Sequence, residues 1–362
     1  MKRIYSALFC AAALFSVVSC EQTNNEDENP DSTGVEFIYT LNSGSYQANN
    51  ASLSSYAVED GVIVDDLFAS VNGQGLGDTA QDMVVFDDKI FITVYGSGVI
   101  FVTDFEGQII EQITDETYFS PRYLATDENY VYVSYYDGAV AKLDPDTYAL
   151  TITAVEAAGN PEELDVVNGK LYVAVADYGY GNEQSVVSLF ETSTMSFVEN
   201  IAVVANPTTL TADTKGNVYV ISMGDYYLIP QSLQRIDTDG EITTLSVSGI
   251  SGAATTAIAI GKDDILYVVE GVSDASTGYK MQGSVYAYNP TTNSASEFIS
   301  DGTTIADLYS ISCNTQSGEV YVGTSDYYNT GDVYVLNSEG VVETSFGVGV
   351  NPMKSICITI EE

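Results

Sequence analysis

A short apolar motif recurs along the chain and organises the whole sequence. The motif is a triplet in which tyrosine or phenylalanine stands between two aliphatic residues, after a polar turn. It reads IFI at 90–92, VYV at 131–133, LYV at 171–173, VYV at 218–220, LYV at 266–268 and VYV at 320–322, and IYT at 38–40 is a degraded first copy. Successive aromatic residues are 40 to 54 residues apart, which indicates seven repeats of one structural unit.

Each repeat contains four short apolar segments separated by turn residues. A strand-like run precedes the triplet, as in DMVVF at 82–86, and another follows it, as in AVAKLD at 139–144. After a further turn comes a last run, such as IIEQI at 109–113. Four short strands per repeat are typical of a propeller blade. We therefore predict an all-β fold, a seven-bladed β-propeller with four-stranded blades that spans residues 34–362.

The first and last repeats are complementary. The first repeat lacks a strand ahead of Ile38, whereas SICITI at 355–360 is a surplus strand at the C-terminal end. We predict that residues 355–360 pair with residues 34–41 and form the innermost strand of the first blade. This arrangement closes the ring and hides both strand edges.

The loops of one face carry the candidate binding residues. With strands named a to d from the axis outward, the b–c loops and d–a crossings open on the same face, and the later b–c loops lengthen, at 177–184, 224–231, 271–283 and 325–331. Asp-Tyr pairs recur on these loops, and Arg122 is expected on a d–a crossing. The predicted ligand-binding residues are Tyr95, Arg122, Tyr135, Tyr136, Tyr178, Tyr226, Tyr227, Asp326, Tyr327 and Tyr328.

Tyrosine suits a bulky ligand because it offers a flat apolar ring and one hydroxyl group. A ring of tyrosines would fit a ligand whose surface is rich in amide or hydroxyl groups. The alternative is that these tyrosines only seal the loops against one another. Both interpretations remain open from the sequence.

Composition narrows the possible chemistry. The chain has 27 tyrosines but no histidine and no tryptophan, which excludes imidazole metal ligands and histidine-dependent nucleophiles. Without histidine we predict no enzymatic activity and no catalytic cofactor. We also predict no metal site, because the Asp- and Asn-rich c–d hairpins are ordinary turn sequences. Cys313 and Cys357 are predicted to be buried thiols, with a disulfide as the alternative.

Charge excludes another class of partner. The formal net charge is −40, so the chain should repel nucleic acids and anionic lipid headgroups. A bulky ligand close to neutrality is the partner that this charge favours.

The N-terminal segment resembles a bacterial lipoprotein leader. A basic start precedes an apolar run at 8–18 that is too short to span a bilayer, and VVSC at 17–20 resembles a lipobox. We predict a signal peptide at 1–19, lipidation of Cys20 and an acidic tether at 20–33. An acidic stretch after the cysteine resembles the surface-export signal of Bacteroidetes lipoproteins, so the expected location is the extracellular side of the outer membrane.

Several segments resemble the YncE-like surface propeller lipoproteins of Bacteroides. They include VNGQGLGDTAQDMVV at 71–85, NPTTLTAD at 206–213 and DYYNTG at 326–331. This group includes vitamin B12-binding lipoproteins of the BtuG type, which deliver cobalamin to a TonB-dependent transporter, and members labelled only as surface-layer proteins. The resemblance implies cobalamin as a bound ligand that keeps its own axial base. Glycan binding, or a protein-interaction or surface-layer role, is the alternative.

Overall fold

The strands predicted from the repeats are present in a computed structural model of the protein. The structure describes residues 34–361 except 179–184, 226, 251–252 and 273–281. Cys20 and Tyr226 therefore lie outside the described residues. Within them, 28 strands form seven four-stranded antiparallel sheets, so the seven-bladed propeller is confirmed.

The strands follow one another blade by blade along the chain. Blade 1 contains β1 (Gly34–Asn42), β2 (Ser52–Ala57) and β3 (Ile63–Val64); blade 2 contains β4 (Ala80–Phe86), β5 (Lys89–Val94), β6 (Val99–Thr103) and β7 (Ile109–Ile113); blade 3 contains β8 (Pro121–Thr126), β9 (Val131–Tyr135), β10 (Ala139–Leu143) and β11 (Leu150–Ala154); and blade 4 contains β12 (Asn160–Val167), β13 (Lys170–Ala176), β14 (Val186–Glu191) and β15 (Ser196–Ala202).

The remaining blades have the same order. Blade 5 contains β16 (Pro207–Ala212), β17 (Val218–Ser222), β18 (Ser232–Ile236) and β19 (Ile242–Leu245); blade 6 contains β20 (Ala254–Ile260), β21 (Leu266–Val272), β22 (Gln282–Asn289) and β23 (Ser294–Glu297); blade 7 contains β24 (Leu308–Cys313), β25 (Val320–Thr324), β26 (Thr330–Leu336) and β27 (Val342–Val350); and β28 (Pro352–Glu361) is the last strand. A short helix, α1 (Leu67–Asn72), joins blades 1 and 2, and a 3-10 turn (Lys262–Asp264) joins β20 and β21.

The C-terminal strand closes the ring as predicted. β28 is the innermost strand of blade 1, and its antiparallel register with β1 runs from Gly34 opposite Glu361 to Leu41 opposite Lys354. β28 also packs against the inner strands of blades 7 and 2, β24 and β4. Each inner strand therefore has an inner-strand neighbour on both sides.

The triplet aromatics form the core between blades. Phe91, Tyr132, Tyr219 and Tyr321 are all no more than 1 % exposed. Phe91 packs with residues of blade 3, and Tyr132 packs with residues of blade 4. Burying such a side chain stabilises the fold by about 1.5–3 kcal/mol, so the recurring triplet holds adjacent blades together.

A β-bulge interrupts every inner strand at its start, next to the loop face. Each bulge adds one residue to the inner strand relative to its neighbour, which bends the strand and re-aims a side chain. The bulged positions are Gln81, Arg122–Tyr123, Glu162–Glu163, Thr208, Thr256, Tyr309 and Met353. The inner strands of a propeller surround a central channel, and these residues lie at the end of the inner strands next to the b–c loops, here called the channel mouth.

Two remaining expectations concern cysteines and membranes. Cys313 and Cys357 are free thiols, each half-buried, and burial raises the pKa of Cys357 to about 11. No helix in the described part of the chain is both long enough and apolar enough to cross a bilayer.

Candidate functional site

An ion pair lies at the channel mouth. Arg122 Nε donates to Glu162 Oε2 at 2.5 Å, and Arg122 Nη1 lies 3.4 Å from Gln81 Oε1. The Glu162 side chain is 1 % exposed, and the Arg122 side chain is 19 % exposed. The two residues occupy the bulges of β8 and β12, which are the inner strands of adjacent blades, so the fold brings them together. Arg122 thus lies within an inner strand and not, as expected, on a crossing.

Three tyrosines from the b–c loops surround this pair. The Arg122 guanidinium carbon is 5.0 Å from the ring centroid of Tyr95 and 5.0 Å from that of Tyr136, within the range of cation–π attraction. The Tyr95 and Tyr136 rings meet edge to face at 5.6 Å, and Tyr178 lies 6.5 Å from Tyr136. We call Tyr95, Arg122, Tyr136, Glu162 and Tyr178 the mouth cluster.

Hydrogen bonds fix the carboxylate of the mouth cluster from both sides. Tyr178 Oη donates to Glu162 Oε1 at 2.5 Å, while Arg122 takes the other oxygen. Burial raises the pKa of the Glu162 carboxyl, and Arg122 opposes that shift. Burial alone would lower the pKa of Arg122, but the Glu162 carboxylate more than offsets it. The pair is therefore preorganised and carries no net charge.

A second set of charged groups lies one residue deeper along the inner strands. Lys354 Nζ donates to Asp82 Oδ1 at 2.8 Å, across the closure between blades 1 and 2. Glu163 Oε2 accepts the Leu210 amide at 3.1 Å. Burial, with the nearby Asp82 charge, raises the pKa of Glu163 well above its usual value. The inner strands thus bring two carboxyl groups, Asp82 and Glu163, close to one lysine, Lys354.

The aspartates of the Asp-Tyr pairs shape their loops. Asp225 Oδ1 accepts the amides of Tyr227, Leu228 and Ile229 at 2.7–2.9 Å. Asp326 Oδ1 likewise accepts the Tyr328 and Asn329 amides. Such side-chain-to-backbone bonds define Asx turns, and Tyr227 and Tyr328 on these turns are exposed.

The loop tips of blades 5 and 7 are the most exposed aromatic positions of the predicted set. Tyr227 is 83 % exposed and Tyr328 is 85 % exposed. The ring of Tyr327 packs edge to face against that of Tyr309, with 5.6 Å between the ring centroids. Its backbone has φ of 68°, a left-handed conformation that is unusual for a bulky residue. Such strain is concentrated at functional positions.

The structure separates the predicted residues into groups. Tyr95, Arg122, Tyr136 and Tyr178 come together in the mouth cluster, while Tyr227 and the Asp326–Tyr328 tip lie on other loops. Tyr135 is 2 % exposed and belongs to the core between blades 2 and 3. It was expected on a loop but is the last residue of β9, where strand alternation turns it inward.

Sequence reasoning missed Glu162, Tyr46 and Tyr309. The signal for Glu162 was present, because SPRY at 120–123 and NPEE at 160–163 align at the proline and place Arg122 and Glu162 at one repeat position. Tyr46 is 72 % exposed on the b–c loop of blade 1. Tyr309 occupies the bulge of β24 and is partly buried, and the sequence repeat gave no signal for that bulge.

Metal ligation finds no support in the described residues, where no group of three or more His, Cys, Asp or Glu side chains is arranged to hold an ion.

Comparisons with known proteins concern the family and the fold. The model of the DUF5074 family, described as a domain of unknown function, matches residues 36–351. No curated protein matches the chain.

Solved propellers are similar in structure at low sequence identity. A quinonprotein alcohol dehydrogenase-like protein from Bacteroides thetaiotaomicron has 17% identity and a TM-score of 0.63, over 90% of this chain and 78% of that one. Virginiamycin B lyase from Staphylococcus aureus has 15% identity and a TM-score of 0.57, over 75% and 85%. Hydrazine synthase from Kuenenia stuttgartiensis has 15% identity and a TM-score of 0.58, over 72% and 77%. These similarities extend to the fold alone.

Proposed function

The chain belongs to the DUF5074 family, and we propose that it is a binding protein that captures a bulky, near-neutral ligand on its loop face. The observation that carries this proposal is the mouth cluster. Three tyrosine rings and one paired arginine converge on the opening of the channel, where a ligand can meet flat apolar surface and fixed hydrogen-bond donors together.

The ligand we propose is cobalamin. A corrin has a broad face edged with carboxamides, and tyrosine rings with free hydroxyl groups match both features. The sequence contains no histidine, so no imidazole of this protein could replace an axial ligand, and cobalamin would bind by its periphery. Cobalamin is here a bound ligand and not a catalytic cofactor.

The cellular role follows from the leader and from the resemblance. We propose a non-enzymatic lipoprotein, anchored through Cys20 on the outer face of the outer membrane, that delivers its ligand to a TonB-dependent transporter. The net charge of −40 supports an uncharged ligand, because an anionic one would be repelled.

The test is calorimetric titration of residues 34–362 with cyanocobalamin. We expect micromolar or tighter binding, and the double variant Tyr327→Ala, Tyr328→Ala should weaken it by about ten- to a thousandfold if both rings contact the ligand. The matched control is Val198→Ala, which trims a side chain 40 % exposed on the outer strand of blade 4.

Two outcomes would change the proposal. Equal affinity of the double variant and the wild type would remove Tyr327 and Tyr328 from the site. A wild-type protein that does not bind cyanocobalamin at micromolar concentration would overturn the cobalamin assignment, and titration with a glycan panel would follow.

A protein partner is the second candidate, and one feature favours it. The blade-5 tip exposes Tyr227 and Leu228 by 83 % and 79 %, beside Ile229 at 40 %, so three apolar side chains adjoin on one turn. Adjoining exposed apolar side chains are a feature of protein interaction sites. Replacement of Leu228 by serine should abolish partner binding and leave cyanocobalamin affinity unchanged if this tip serves a protein.

A further inference from the structure

The mouth cluster has unused hydrogen-bond donors. A guanidinium carries five N–H groups, and the polar side-chain contacts described for Arg122 are the hydrogen bond to Glu162 and the long contact to Gln81. The hydroxyl groups of Tyr95 and Tyr136 have no hydrogen-bond partner among the described residues, although both rings are half-buried. None of these groups is among the fully buried polar atoms without a partner, so they are open to solvent, and a ligand that enters the cluster can accept hydrogen bonds from them.

The charge of the cluster determines what that ligand group can be. Glu162 neutralises Arg122 at 2.5 Å, and Asp82 and Glu163 lie deeper in the same channel. An incoming carboxylate would share the Arg122 guanidinium with Glu162 and be repelled by the carboxylate of Glu162. An uncharged carbonyl oxygen would use the same donors without that repulsion.

We propose that the mouth cluster is a specificity subsite that accepts an uncharged carbonyl oxygen, such as that of a carboxamide, and rejects a carboxylate. In this arrangement Arg122 donates to the ligand, Glu162 sets the charge of the subsite, and the Tyr95 and Tyr136 rings hold the guanidinium in place. The inference rests on the proposed function, because it assigns to one subsite the recognition of an amide-rich ligand.

The experiment compares cyanocobalamin with its monocarboxylic acids, in each of which one peripheral propionamide is hydrolysed. Titrations are run in 0.5 M NaCl, so that long-range repulsion by the acidic protein is screened. We expect at least one monocarboxylate to bind the wild type tenfold or more weakly than cyanocobalamin.

The decisive variant is Glu162→Gln, which keeps the shape of the side chain and frees the charge of Arg122. It should reverse the preference, so that the discriminated monocarboxylate binds as tightly as cyanocobalamin or more tightly. The control is Glu116→Gln, which removes one exposed negative charge from a crossing on the same face and should keep the wild-type preference. Circular dichroism and thermal melting establish that each variant is folded.

The outcomes separate this inference from the proposed function. A wild-type protein that does not bind cyanocobalamin would overturn both the proposed cobalamin function and the subsite. Binding in which amide and carboxylate forms are equivalent would overturn the subsite alone. A Glu162→Gln variant that keeps the wild-type preference would do the same. If that variant fails to fold, Arg122→Gln replaces it: the unpaired Glu162 charge should keep or increase the preference for cyanocobalamin, and equal binding of both forms would overturn the subsite.

Discussion

Single residues in the channel differ sharply in what their surroundings do to them. Glu162 is neutralised by Arg122, but its neighbour Glu163 accepts only a main-chain amide among its described contacts and lies near the Asp82–Lys354 pair and Asp165. Burial raises the pKa of Glu163 well above the ordinary value of 4.5. The folded protein therefore binds this proton more tightly than the unfolded chain does.

This difference predicts a pH-dependent stability. A raised folded-state pKa gives stability that is fully present below about pH 4.5 and is lost as the pH rises through the raised value. Glu163→Gln should therefore melt about 2–4 °C higher than the wild type at pH 8 and show no such gain at pH 4.5. Thermal melts across this range test it, with the exposed Glu59→Gln as the control. Equal gains at both pH values would show that ionisation of Glu163 is not the cause.

The residues of the site were only partly predictable from the sequence. Tyr95, Tyr136 and Tyr178 were found because loops follow the repeat, whereas Arg122 was assigned to a crossing and lies in the bulge of β8. Tyr135 was misplaced by one position, since a strand that ends one residue later turns the side chain into the core. Glu162 was missed because a bulge re-aims side chains without changing composition.

Among the elements, β28 has a dual role. It completes blade 1 by pairing with β1, and it fills the gap between the inner strands of blades 7 and 2. Ile358, at 3 % exposure, fixes it in the core shared by blades 1 and 2. Removal of this strand would thus expose the edge of β1 and open the ring at once.

A chain that ends at Asn351 should lose at least about 10 °C of melting temperature or melt without cooperativity. A synthetic peptide of residues 352–361 added to that chain should restore the transition, whereas the same peptide with Ile358→Lys should not. Melting of the truncated chain at the full-length temperature would contradict closure by β28.

The fold was more predictable than the site because the strand pattern of one blade recurs seven times along the chain. Strand count, blade number and closure all follow from repeat spacing and from the surplus strand at 355–360. The bulges were not foreseen, because each one depends on the register of two strands and not on the pattern of either. The mouth cluster includes residues at these bulges. The arrangement of those inner-strand residues could therefore not be predicted from the sequence pattern.

At the scale of the whole molecule, charge dominates. The net charge of −40 produces self-repulsion that destabilises the compact state and is screened by salt. An increase of NaCl from 10 to 500 mM should therefore raise the melting temperature by about 3 °C or more. Cyanocobalamin affinity should change less than about threefold over that range, since no net charge on the ligand is engaged. A steep fall in affinity with salt would indicate an ionic ligand contact instead.

The pairing of Gly34 with Glu361 at one end of blade 1 has a mechanical consequence. Gly34 begins β1, which lies between β28 and β2, and it starts at the face opposite the loops. A pull on Gly34 along this strand loads the hydrogen bonds of both ladders together, in shear, so many bonds must break at once. A pull that peels Glu361 away from Gly34 would instead open one ladder bond by bond. Force applied at Gly34 is therefore borne by blade 1 in its more resistant direction, from the end of β1 that lies opposite the b–c loops.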